Sequence, residues 1–116
     1  MTTYLSTAFS LQMLPEEDGE VTIKVRRVTA EEARELLSRG FVSVVGHELT
    51  AAIASSILGM NVAVNRAAIK LGRGDVLVVF QLLYGRLNQT RELTKQEVDE
   101  IINKGLYAFF MVTIKS

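Results

Sequence analysis

The chain has 116 residues, 48% of them apolar, with no cysteine, one histidine, and thirteen basic side chains balanced by thirteen acidic ones. That length makes a single domain, 1–116, able to bury roughly two thirds of its unfolded surface without a disulfide or a structural metal. Zero formal charge argues against strong binding to duplex nucleic acid, the lack of cysteine excludes a disulfide framework and a thiolate zinc site, and no apolar run of about 18 residues is present to span a bilayer.

The opening residues, Met1-Thr2-Thr3-Tyr4-Leu5, carry neither the basic nor the long apolar segment of a secretory leader, so the sequence predicts an intracellular protein. Thr3 to Ala8 is rich in β-compatible side chains and reads as a first strand, running into Phe9-Ser10-Leu11-Gln12-Met13-Leu14 and closed by Pro15. Glu16-Glu17-Asp18-Gly19-Glu20 reads as a solvated turn, its carboxylates marking a surface loop in preference to a metal site. Val21 to Val28 alternates apolar and polar residues, the pattern of a strand with one face in the core.

Thr29-Ala30-Glu31-Glu32 supplies a capping box, and Ala33, Leu36 and Leu37 continue as a helical stripe that Gly40 is expected to end in a left-handed conformation. Phe41 to Val45 is either a short strand or an extended connection. After His47, the run Leu49, Ala52, Ile53, Ser56, Ile57 fits a 3.6-residue period with Gly59 as the stop. Asn61 to Asn65 reads as a connector, and Gly72-Arg73-Gly74-Asp75 as a hairpin turn. Val76 to Leu83 is the most apolar run, predicting a central strand buried on both faces, with Gln81 as an amide that needs partners inside it. Thr94-Lys95-Gln96-Glu97 is a second capping box, its helix closed by Gly105, and Leu106 to Ile114 reads as a final strand. The order of these elements predicts an α/β domain, a mixed sheet of about five strands flanked by helices.

His47 is the natural starting point for chemistry, because histidine is the side-chain type that exchanges protons near neutral pH. It stands where an extended apolar stretch meets Gly46 and a helix begins, and a helix start offers free backbone N–H groups to an anion. Eight of the thirteen cations are arginine, the side chain suited to forked contacts with phosphate. Taken singly, these features have a plain structural reading: His47 as a cap, Arg66 and Arg86 as surface charges, Gln81 as a satisfied core amide.

Taken as an ordered set, they resemble one family. The stretches are Tyr4 through Ser10 to Leu14, Gly46-His47-Glu48-Leu49-Thr50-Ala51, Leu58-Gly59, Asn65-Arg66, Gly74-Asp75, and Gln81 through Arg86-Leu87 to Leu93-Thr94. Together they are similar to the viral ring nucleases that act as type III anti-CRISPR proteins in viruses of hot-spring archaea and some phages. The resemblance covers nearly the whole chain. It implies a homodimer that works in the host cell cytoplasm, binds cyclic tetra-adenylate between its subunits, and cuts it to linear di-adenylates without metal or other cofactor. It further implies His47 as general acid, Arg86 as the second catalytic residue, and Ser10, Arg66, Gln81 and Thr7 as substrate-binding residues. Thr7 stands where many relatives carry asparagine. Asn88-Gln89-Thr90 replaces the Glu-Gly-containing turn common in the family, which leaves Arg91 as a substitute for Arg86. The rival expectations are a non-catalytic dimer that binds a cyclic nucleotide or nucleic acid, and a viral structural or interaction protein.

Overall fold

Threonine caps begin two of the three helices in the computed structural model, which describes residues 1–83 and 94–115. Thr29 Oγ1 accepts from the Glu32 N–H while the Glu32 carboxylate accepts from the Thr29 N–H, and this starts α1 (Ala30–Leu37). Thr94 and Glu97 repeat the exchange at the head of α3 (Lys95–Lys104), which Gly105 ends at φ 63°. Each box satisfies two backbone donors that the first turn of a helix leaves without partners. Helix α2 (Glu48–Leu58) ends on Gly59 at φ 66° and begins at His47, whose side chain makes no capping bond.

Five strands, β1 (Thr3–Ser6), β2 (Ile23–Val28), β3 (Val42–Ser43), β4 (Val76–Leu82) and β5 (Tyr107–Ile114), form one mixed sheet in the order β2-β5-β4-β1-β3. β1 pairs parallel with both β3 and β4, and β5 runs antiparallel between β4 and β2. The carboxyl ends of β1, β2, β3 and β4 therefore lie at one edge of the sheet. The expected mixed α/β architecture is the one observed, with its helices gathered on one face.

On the helix-bearing face, Leu5, Val78, Phe80 and Phe109 pack with Leu37, Ile53, Leu58 and Ile101 from the three helices. Phe80 and Phe109 are almost wholly buried with ring centroids 5.1 Å apart, and Tyr107 meets Phe109 edge-on at 5.8 Å. Such pairs add to burial because ring edges and faces carry opposite partial charge. The opposite face is covered by irregular chain: Phe9, Met13, Val21, Ile69 and Leu71 lie over Leu77, Val79, Val112 and Ile114. A backbone bond from Leu71 to Met13 (2.7 Å) ties these covering segments together. Across the helix layer, Arg34 of α1 donates from Nε to Leu58 O (2.7 Å) and from Nη2 to Ile57 O (3.2 Å), holding the last carbonyls of α2.

Four local expectations change. The first strand stops at Ser6, because Ser6 Oγ bonds to the backbone of Ala8 and turns the chain out of the ladder. Helix α1 closes at Ser38, and Gly40, with φ 107°, lies beyond its end and donates its N–H to Leu37 O. Gly72 to Asp75 is a turn fixed by the Asp75 carboxylate, which accepts from the N–H groups of Gly72 and Thr2, but no strand precedes it and it is not a hairpin. β4 is central as expected, yet Gln81 is exposed instead of buried.

Candidate functional site

The carboxyl edge of the parallel strands is where the chain leaving β1 and the chain leaving β3 part. Beyond β1, Phe9 and Met13 pack beneath the loop-covered face, whereas beyond β3 the chain enters α2 on the helix-bearing face. Ligands of open α/β sheets bind in the crevice outside such a divergence, since backbone groups there are not consumed by the ladder.

His47 occupies this edge. Its register is set by β3, whose Ser43 lies opposite Leu5 of β1, and by the bond from Val44 N–H to Leu5 O (2.8 Å). The imidazole is exposed, with backbone φ −127° and ψ 133°, so the expected alternative of a side-chain cap is not what it does. Helix α2 keeps an open first turn carrying partial positive charge beside the only histidine.

Arg66 comes to the same place. Its Nε donates to Gly46 O at 2.8 Å, one residue from His47. That bond uses one of five guanidinium N–H groups and leaves both Nη nitrogens for an anion. Arg66 packs closely over Gly46: a Cβ there would lie 3.3 Å from Arg66 Cγ, and the arginine would have to give by a few tenths of an ångström.

Thr7 directly follows β1 at this edge and is half-buried. Ser10 is exposed and heads the 3-10 turn Leu11–Met13, its Oγ accepting from Gln12 N–H (3.2 Å); its hydroxyl proton remains available to a ligand. Gln81 is the last residue but one of β4, opposite Ala108, on the face away from the helices. Among the described residues it is exposed: the covering cluster includes Val79 and not Gln81, and the amide makes a 3.5 Å contact with Leu82 O. The structure thus joins the backbone leading into His47 to Arg66 through Gly46 and sets Thr7 and Gln81 at neighbouring ends of β1 and β4, while Ser10 stands four residues beyond β1 at the head of its own turn. Arg86 and its substitute Arg91 lie outside the described residues.

Sequence reading missed what holds this arrangement. Asn65 Nδ2 donates to Ser43 O (2.8 Å), Asn65 N–H donates to Val45 O (2.8 Å), and Ser43 Oγ donates to Ala63 O (2.5 Å). The only local signal was a serine interrupting the apolar run Phe41 to Val45. Two concavities lie away from His47. A cleft of about 680 Å3 beside α1 is lined by Arg26, Glu32, Glu35 and Arg39, and its charges face one another, with Arg26 and Glu32 3.9 Å apart. His47 and Arg66 line neither of these concavities.

Residues 3–106 match the family model described as STIV B116-like. The chain belongs to the STIV B116-like family. Among relatives, it is similar to "Uncharacterized protein 26" of Sulfolobus islandicus filamentous virus (isolate Iceland/Hveragerdi), 33% identical over 111 residues that cover 95% of this chain and 92% of that protein. It also resembles "Uncharacterized protein ORF117" of Acidianus two-tailed virus, 33% identical over 73 residues, 60% of this chain and 62% of that one. Its fold is that of B116 of Sulfolobus turreted icosahedral virus, with a TM-score of 0.73 at 24% identity over 97% of this chain and 99% of the other. Membership of the STIV B116-like family, with relatives in viruses of Sulfolobus and Acidianus, agrees with the resemblance carried by the ordered motifs. No helix among the described residues is long and apolar enough to cross a membrane.

Proposed function

We propose that this protein is a ring nuclease that binds cyclic tetra-adenylate and opens it to linear di-adenylates, disarming type III CRISPR signalling in the host cytoplasm. The observation that carries the reading is the bond from Arg66 to Gly46, which brings a guanidinium with unused N–H groups beside His47 at an open helix N-terminus.

RNA brings its own nucleophile. The ribose 2′-hydroxyl attacks the adjacent phosphorus in line, a 2′-oxygen to phosphorus bond forms, and the bond from phosphorus to the 5′-oxygen breaks. The hydroxyl proton passes to water, and a protonated His47 gives its proton to the departing 5′-oxygen, leaving a 2′,3′-cyclic phosphate and a 5′-hydroxyl. Arg66 and the first-turn N–H groups of α2 offset charge on the non-bridging oxygens, and Arg86 completes that work from the segment after β4. Ser10, Gln81 and Thr7 orient ribose and phosphate oxygens. Fixing the 2′-oxygen in line supplies much of the acceleration, so the reaction needs no metal. A two-fold homodimer would present each of these groups twice to a ring of repeating phosphates.

The deciding experiment incubates the protein with cyclic tetra-adenylate in excess EDTA and follows products chromatographically. Linear di-adenylates are expected from the wild type. Tight binding without cleavage would instead favour a sequestering protein, and neither binding nor cleavage would overturn the reading altogether.

A further inference from the structure

We propose that Asn65 is a positioning residue: by clasping the chain that leads into His47, it sets where the imidazole and Arg66 stand relative to one another. The inference deepens the ring-nuclease reading and rests on it for its catalytic readout.

β3 has only two residues, paired with β1 along one side. Its outer side would leave carbonyls unpaired at the very point where the chain turns into α2. The returning segment fills that need. Val64 bridges to Val45 in parallel, and two consecutive residues then hold three carbonyls: Asn65 takes Ser43 O with its side chain and Val45 O with its backbone, and Arg66 takes Gly46 O. Ser43, itself buried, closes the arrangement by donating to Ala63 O and accepting from Val45 N–H (3.4 Å). The residue after the last clasped carbonyl is His47.

Asn65 thus does what an edge-strand neighbour would do, with one addition. Because Arg66 follows it in the chain, fixing Asn65 against Ser43 and Val45 also fixes where the arginine starts. One side-chain amide registers the proton donor and the phosphate-binding cation at once. A carboxylate of the same shape would not serve, since it offers no proton to Ser43 O and places charge against a carbonyl dipole.

The test compares Asn65→Ala and Asn65→Asp with wild type, using Thr29→Ala as a control that weakens the fold at the head of α1, next to β2 and at the opposite edge of the sheet from β3. Cleavage of cyclic tetra-adenylate is resolved into kcat and KM. The imidazole C–H signals are read by NMR, and belong to His47 without assignment because the chain has one histidine. Both Asn65 variants should shift or broaden these signals and lower kcat by about tenfold to a hundredfold, the loss expected when reacting groups are displaced by up to about 1 Å. Thr29→Ala should lower the melting temperature with neither effect. Unmoved His47 signals in a folded Asn65→Asp protein would overturn the inference whatever the rate, as would moved signals with an unchanged kcat. A wild-type protein that does not cleave would remove the ring-nuclease reading, and the NMR comparison would still decide the clasp.

Discussion

The heads of α1 and α2 face the same edge of the sheet and are built in opposite ways. At α1, Thr29 and Glu32 exchange side-chain bonds with each other's backbone, and the first turn is closed. At α2 the corresponding position is His47, which gives the backbone nothing and leaves the first turn open. A cap contributes about 1 kcal/mol to a helix. The fold forgoes that contribution at one helix, where the displaced cap residue is the only side chain of its type in the protein. Side-chain caps close the first turns of α1 and α3, and none closes that of α2.

Breaking the reactive side of this contrast should have the largest effect. His47→Ala is expected to slow cleavage of cyclic tetra-adenylate by about 10² to 10⁴ while leaving binding in place, measured by single-turnover kinetics beside a binding titration; equal rates would remove His47 from the mechanism. Arg66→Ala should cost roughly 10² to 10³ in kcat, the loss typical of one donor to a developing oxyanion, and should weaken ligand binding as well. Arg66→Lys should recover little, since an ammonium cannot hold Gly46 O and a phosphate in the same fork. On the stabilising side, Thr29→Ala should lower unfolding free energy by about 1 kcal/mol in a denaturant titration, with cleavage unaltered. The sharpest and smallest test is His47→Ser. A serine at this extended-backbone position supplies the missing cap, so the variant should be more stable than wild type by about 0.5 to 1 kcal/mol and should have lost its cleavage.

Local grammar was readable from sequence, and long-range ties were not. Both capping boxes depend on residues three apart, and both appear as written: Thr29 with Glu32, and Thr94 with Glu97. Gly59 and Gly105 end their helices at positive φ for the same local reason. Strand order could not be read, because β1 finds both its partners far along the chain. Gln81 misled because an apolar run reports how most of a strand is covered, and among the described residues the covering cluster takes in Leu77 and Val79 but not Gln81. His47 and Arg66 were each recognisable as chemical types, yet nothing in their spacing placed them together. That proximity is made by Asn65 and Ser43, 22 residues apart, a bond from an irregular segment to the last residue of β3.

Arg34 sits at the other end of α2 from all of this, and its two bonds act as a mechanical stop. A slip of α2 along its own axis by one residue would carry His47 about 1.5 Å, which in the proposed reaction is enough to spoil its alignment with the leaving oxygen. The same slip would pull Leu58 O and Ile57 O off the guanidinium together. Eleven residues of helix, about 16 Å, thus form a stiff rod with a fixed heel. The lengthwise position of the imidazole is gauged from the other end of α2, by an arginine on a neighbouring helix.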